Sequence, residues 1–317
     1  MRAVTIREGE LVMEEHPDPV PGKGEVLVRV RAAGLNGADI HQRMGRYPAP
    51  PGWPQDIPGM ELAGEVAALG EGVERFAEGD RVMAIIGGGA QAELAVAHER
   101  LFMPVPEGLD WAAAGGLPEV FTTAHDALFT QGNLRPAEHL LVHGGAGGVG
   151  TAAIQLARAS GARVTATVRR EELRPAVAEL GAEAIAPEGF GEHGPFDVIL
   201  ELVGAVNLPE NMSSIATAGR LVVIGTSAGV KGELNLLALM GRRAQIHGST
   251  LRYRPLEEKG LIARRVEHEV LPLFDSGTLH VQVDSTFPFD QAATAYEHFE
   301  AGGKLGKIVL VADDAPA

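Results

Sequence analysis

The sequence predicts an α/β protein in two parts: a β-rich unit, and a doubly wound parallel sheet inserted before the chain returns to that unit. Three observations carry this prediction. The 317 residues exceed one ordinary core and suit two. Over residues 1 to about 100 short strands alternate with turns, whereas from about residue 119 apolar strands alternate with amphipathic helices. Within the second part an apolar strand runs into crowded glycines and then directly into a helical pattern, "LLVHGGAGGVGTAAIQLA" at 140–157.

The elements follow in chain order. "EVLVRVRAAG" (25–34) alternates charged and apolar residues, as a half-buried strand does. "NGADIHQRMG" reads as a short helix closed by Gly45. "YPAPPGWPQDIPG" (47–59) is a loop, because proline removes donors and fixes φ. "ELAGEVAALGEGV" (61–73) and "GDRVMAII" (79–86) are further strands. Then come "HLLVH", a helix over 149–159, "ARVTATV", a helix in "EELRPAVAELG", and "FDVILELVG". A helix near 208–216, "GRLVVIG", a helix near 235–242 and "AQIHGST" complete the repetition. Gly161 and Gly181 stand where helix C-caps belong. The tail, 255–317, adds helix and ends in the strand "GKIVLVA"; too short for a domain, it completes the N-terminal unit.

Composition narrows the function. Net charge is −15, which disfavours nucleic acid as a partner. There is no cysteine, which removes disulfides and thiolate-held zinc. The N-terminal stretch carries charges where a signal peptide has its apolar core, and no apolar run reaches about 18 residues. A cytoplasmic protein with no membrane partner is expected.

Gly145-Ala146-Gly147-Gly148-Val149-Gly150 fits G-x-G-x-x-G in the strand–turn–helix setting that gives the pattern its meaning. The first glycine allows the tight turn. The second lets backbone approach a pyrophosphate, and the third lets helix pack on strand. The N–H groups and dipole of the helix N-terminus favour the anion. No G-K-[ST] follows, which argues against a nucleotide-hydrolysing loop. Where NAD enzymes place an acid at the end of the second strand, this chain has Arg169 and Arg170. Two guanidinium groups suit a 2′-phosphate, so NADPH is expected, with NADH left open. The turns Val203-Gly204 and Ile224-Gly225 follow later strands, where open α/β sheets bind ligands.

With these residues placed, the chain resembles the medium-chain dehydrogenase/reductase superfamily, and within it the zinc-independent NAD(P)H quinone oxidoreductases, in the tumour-suppressor-induced branch. The stretches "GLNGADIHQRMGRYPAPPG", "DIPGMELAGEV", "GLPEVFTTAHDALF", "LLVHGGAGGVGTAAIQLA", "GSTLRYRPLEEK" and "GKIVL" carry the resemblance over nearly the whole chain. It implies a GroES-like catalytic domain (1–118 and 252–317) and a Rossmann dinucleotide-binding domain (119–251). It implies hydride transfer from NADPH to a quinone or activated enone, and a homodimer joined through the dinucleotide domains. It implies no zinc: Asn36 and Met60 stand where zinc-dependent members carry cysteine and histidine. An acceptor of this kind needs less electrophilic help than an isolated carbonyl.

The resemblance further implies that Asn36, Asp39 and Tyr47 line the acceptor site. Asn36 would donate an amide N–H to substrate or ribose. Tyr47 would donate to a developing oxyanion, stack on a flat ring, or anchor the proline loop. Asp39 reads more readily as a structural acid of its helix. Thr123, Ser249, Arg252 and Lys307 fall where the family fold reaches the cofactor, with a salt bridge an equal reading for Arg252. Two alternatives stay open: a reductase of alkenals on the same fold, and a non-catalytic NADPH-binding protein.

Overall fold

Alternation along the first strands sets the N-terminal core of this computed structural model, in which residues 1–312 are described. Strand β1 (Arg2–Arg7) pairs antiparallel with β2 (Glu10–Glu15). In β3 (Glu25–Gly34) Val26, Val28 and Val30 are buried while Arg29 between them is exposed, the period of two expected of a pleated strand. Helix α1 (Gly37–Arg43) follows, and Gly45 closes it at φ +69°. Then come β4 (Glu61–Leu69), β5 (Arg81–Ile85), β6 (Leu94–His98) and β7 (Phe102–Pro104). Val82, Ile86, Leu62 and Phe102 close a core over β3. Helix α2 (Trp111–Gly116) is capped by Asp110, which accepts from the Ala113 N–H at 2.7 Å. Helix α3 (Pro118–His125) continues into a π-helical turn over residues 126–131, for which the sequence carries no signal.

The second unit is a six-stranded, all-parallel sheet. Its strands are β8 (His139–His143), β9 (Arg163–Thr167), β10 (Glu183–Ile185), β11 (Phe196–Glu201), β12 (Ile215–Val223) and β13 (Gln245–Gly248). Their spatial order is β10-β9-β8-β11-β12-β13, which is 3-2-1-4-5-6 counted within the unit, the doubly wound arrangement. Helices α4 (Gly148–Ala159), α5 (Arg174–Glu179), α6 (Leu208–Ser214) and α7 (Leu236–Arg242) make the connections. Leu141, Ile199, Leu221, Phe196 and Met212 form its core.

The chain then adds α8 (Leu256–Glu269), α9 (Leu271–Asp275), β14 (Val283–Pro288), α10 (Ala292–Ala301) and β15 (Lys307–Val311). Strand β15 pairs antiparallel with β3, so the tail completes the first sheet, β14-β15-β3-β4-β5-β7, with β6 also on β3. The chain divides into two compact units, residues 1–122 with 251 onward, and 123–250.

Three elements differ from the sequence reading. The strand expected over 61–73 stops at Leu69, because a turn follows in which Gly72 has φ +81°. The helix in "EELRPAVAELG" splits into a 3-10 turn at 171–173 and α5. Pro175, without an N–H, is admitted only in the first turn of a helix. The helix near 208–216 ends at Ser214, because Ile215 is fully buried as the first residue of β12.

Candidate active site

Three glycines of the turn after β8 have a steric reason. Gly144 sits at φ +71°. A Cβ on Gly145 would lie 2.8 Å from the Ala166 Cβ, and one on Gly150 would lie 2.4 Å from the Gly144 carbonyl oxygen. These two fix the turn against the neighbouring strand and helix. Gly147 is different: a Cβ there meets only the Gly144 oxygen, at 3.4 Å, so one face of the turn is open. The first α4 bond runs from the Thr151 N–H to the Gly147 carbonyl, 2.8 Å, which leaves the N–H groups of Gly148, Val149 and Gly150 without helical acceptors. The turn is a half-exposed backbone cradle suited to an anion.

At the end of β9, Arg169 and Arg170 are both exposed; Arg170 lies 3.4 Å from Glu172. Arg174, which sequence reasoning passed over, donates to the Val168 carbonyl at 3.2 Å. The turns 203–204 and 224–225 follow β11 and β12. The structure therefore gathers Gly145–Gly150, Arg169, Arg170, Val203, Gly204, Ile224 and Gly225 at the carboxyl edge of one parallel sheet. Ser249, just past β13, donates to the Asp126 carboxylate at 3.3 Å, and Thr123 is buried.

Beneath that edge lies a polar network that the sequence reading missed. The Glu201 carboxylate, 3% exposed, accepts from the N–H groups of Val203 (2.7 Å) and Gly204 (2.8 Å) and from the amides of Asn207 and Asn211. His143 Nε2 donates to Asn211 Oδ1 at 2.8 Å, and its Nδ1 lies 3.2 Å from Thr167 Oγ1, which accepts from the Gly144 N–H. Burial pushes the His143 pKa down, with Glu201 pulling the other way. Glu201 thus shapes one cofactor-facing turn and His143 supports the other. An isolated acid at the end of a strand gives no sequence signal for this.

In the first unit the candidate residues form two clusters. Lys307 Nζ donates to Glu61 Oε1 (2.7 Å), Asn36 Oδ1 (2.7 Å) and the Leu35 carbonyl (2.6 Å). Glu61, fully buried, also accepts from Asn36 Nδ2 (2.9 Å) and from the Glu119 N–H (2.8 Å). Asp39, fully buried, accepts from the N–H groups of Asn36 (2.8 Å) and Gly59 (3.2 Å). Burial pushes its carboxyl up to about 6, against the Asn36 N–H and the Lys307 and Arg252 charges. In the second cluster Arg252, 1% exposed, donates to Gln42 Oε1 and to the carbonyls of Gly87 (2.8 Å) and Tyr47 (3.1 Å). Its guanidinium lies 5.2 Å from the Tyr47 ring centroid, and Tyr253 meets that ring edge-on at 5.3 Å. The Tyr253 hydroxyl donates to the Pro48 carbonyl at 2.6 Å.

Four of these residues make their contacts within the protein, as the structural reading of Asp39 expects. The Asn36 amide donates to Glu61 and, at 3.3 Å, to the Gly34 carbonyl, so its N–H groups are used inside the protein. Asp39 caps α1 and fixes the Gly59 turn. Lys307 and Arg252 bond to protein acceptors: Lys307 orients Asn36, and Arg252 pins the proline-rich loop.

The sequence matches two family models: the alcohol dehydrogenase GroES-like domain over residues 22–107 and the zinc-binding dehydrogenase over residues 177–310. A rat quinone oxidoreductase is 32% identical, covering 98% of each chain. The chain belongs to the quinone oxidoreductase family of medium-chain dehydrogenase/reductases. Family likeness extends to the rat synaptic vesicle membrane protein VAT-1 homolog, 33% identical over 92% of this chain and 78% of that one. Among solved structures, a mycobacterial protein complexed with NADPH is 27% identical, with a TM-score of 0.87 and coverage of 98% and 100%.

A nicotinamide dinucleotide fits the open face at Gly147 and its free helical N–H groups. Zinc does not suit the residues at Asn36 and Glu61. The chain has no thiolate, the position before Glu61 is Met60, and the Lys307 ammonium already satisfies the carboxylate that would face a cation. Among the described residues no group of three or more His, Asp or Glu is placed to hold a metal, and no helix is long and apolar enough to cross a membrane.

Proposed function

We propose that this family member is a zinc-independent, NADPH-dependent oxidoreductase that reduces quinones or activated enones. One observation carries the reading: the open glycine cradle with two arginines at the end of the second strand, in a chain akin to quinone oxidoreductases along its whole length. NADPH, when bound, supplies a hydride. The backbone from Gly145 to Gly150 binds its pyrophosphate, and Arg169 and Arg170 bind the 2′-phosphate through charge-assisted hydrogen bonds. Glu201 holds the Val203-Gly204 turn in its binding shape. Tyr47, its ring fixed by Arg252 and Tyr253, donates a hydrogen bond to the acceptor oxygen as charge develops there. A quinone or enone spreads that charge onto oxygen, so a neutral donor suffices.

We also propose a homodimer. Strand β13 is an edge of the six-stranded sheet, and Leu236, Leu237 and Met240 beside it are 62%, 77% and 71% exposed. An open edge flanked by apolar side chains is a template for a second copy.

The deciding experiment follows loss of NADPH absorbance by purified protein with 1,4-naphthoquinone, with an enone and with a buffer blank, then repeats it with NADH. Quinone-dependent oxidation favouring NADPH is expected. Tight NADPH binding without oxidation by any acceptor would instead favour a binding protein.

A further inference from the structure

The glycine turn after β8 and the Val203-Gly204 turn after β11 are neighbours. Strands β8 and β11 pair, and a Cβ on Gly144 would lie 3.5 Å from Val203 Cγ2. A line of side chains runs beneath both turns. Thr167 on β9 stands opposite His143 on β8, and Asn211 on α6 meets Glu201 at the end of β11. All four residues are at most 3% exposed.

The direction of every hydrogen bond along this line is fixed from one end. Glu201 meets donors: the N–H groups of Val203 and Gly204 and the amides of Asn207 and Asn211. Asn211 therefore presents Nδ2 to Glu201, which turns its Oδ1 toward His143 Nε2 at 2.8 Å. An oxygen there requires the imidazole proton on Nε2 and leaves Nδ1 an acceptor. Burial lowers the His143 pKa, against Glu201 and Glu210, so Nδ1 stays without a proton. The Thr167 hydroxyl donates to that Nδ1 at 3.2 Å, and its oxygen accepts the Gly144 N–H at 3.3 Å. Reversing one bond would set two donors or two acceptors face to face, away from solvent.

We propose that Glu201, Asn211, His143 and Thr167 form a positioning network that joins the two turns into one binding unit, with Glu201 setting its polarity. They act through the backbone N–H groups of Gly144, Val203 and Gly204, so loosening one turn loosens the other. The proposal rests on the dinucleotide reading for its ligand but not for its geometry.

Amide hydrogen exchange of the nucleotide-free protein, followed residue by residue by NMR, tests the network without a ligand. Thr167→Val removes the hydroxyl beneath the glycine turn, and the Gly204 N–H should then exchange about fivefold faster. Asn211→Leu cuts the line at the other end and should quicken the Gly144 N–H by a similar factor. Thr167→Ser keeps the hydroxyl and should restore wild-type exchange. Nitrogen NMR of isotope-labelled histidine should show the His143 proton on Nε2, and Glu201→Gln should admit the Nδ1–H form. NADPH affinity by fluorescence should fall about fivefold in Thr167→Val and in Asn211→Leu, and little further when the two are combined. Circular dichroism of each variant verifies the fold. Exchange that quickens only at the turn beside each substitution would overturn the network, whatever the affinities, and leave two separate supports. A wild-type proton on Nδ1 would overturn it too. Crossed exchange effects in a protein that binds no NADPH would uphold the network and defeat the dinucleotide reading.

Discussion

The glycine turn of the second unit and the Asn36–Glu61–Lys307 cluster of the first answer the same problem, placing polar groups inside a fold, in opposite ways. The turn is backbone, and its N–H groups stay open on the side where Gly147 has no side chain. The cluster is side chain and closed: the three partners of Lys307 and the donors on Glu61 satisfy one another. Open donors mark where a ligand goes. Satisfied charges mark what holds the scaffold, even at positions that a family pattern associates with chemistry.

The contrast yields graded tests. Breaking the closed cluster should have the largest effect. Lys307→Met strands the Glu61 carboxylate, and removing one partner of a buried pair costs about 3–5 kcal/mol. Chemical denaturation should show that loss with or without NADPH; a loss below about 1 kcal/mol would mean that the cluster is solvated. Next is Asp39. With its carboxyl at about 6 when folded and an ordinary value of 3.8, the folded chain keeps a proton that the unfolded chain releases. Its contribution therefore falls as pH rises from about 4 to about 6 and is level above, by roughly 2–3 kcal/mol in all. Asp39→Asn should lack that slope, so that the wild-type minus variant difference in stability falls between about pH 4 and about pH 6.

The open turn should fail differently, in ligand affinity. Gly150→Ala drives a Cβ into the Gly144 carbonyl, and NADPH affinity measured by fluorescence should drop about tenfold or more. Replacing Arg169 and Arg170 together by alanine should cut the preference for NADPH over NADH about tenfold, with little change for NADH. Equal use of both nucleotides by the wild type would remove the arginines as phosphate readers. The smallest effect belongs to Tyr47→Phe, expected to lower turnover severalfold while NADPH affinity holds. Unchanged turnover would leave Tyr47 as an anchor of its loop.

The same contrast explains what was legible in sequence. The turn is local: strand, glycines and helix lie within eighteen consecutive residues, and the pattern is read from their spacing. The repeated strand–helix rhythm exposed the parallel sheet in the same way. The cluster is not local. Asn36 and Lys307 stand 271 residues apart, and no spacing rule joins them. Family likeness named Asn36, Asp39, Arg252 and Lys307, but it could not say that they would bond to the protein's own acceptors. Glu201 and His143 escaped notice because support beneath a turn depends on how strands lie side by side. The end of α6 was misread because burial of Ile215 outweighs helical continuation.

Strand β15 has a consequence for synthesis on the ribosome. It follows every other described strand in the chain, yet it lies between β14 and β3 rather than at a margin. Residues 123–250 emerge with every strand of their own sheet already present, whereas β3 waits for Leu310 and Val311 to meet Ala33 and Ala32. During that wait Glu61 lacks its ammonium. A premature stop just ahead of Lys307 would therefore remove an interior strand and a buried counter-charge together, and the damage would fall on the unit that holds β3 and Glu61.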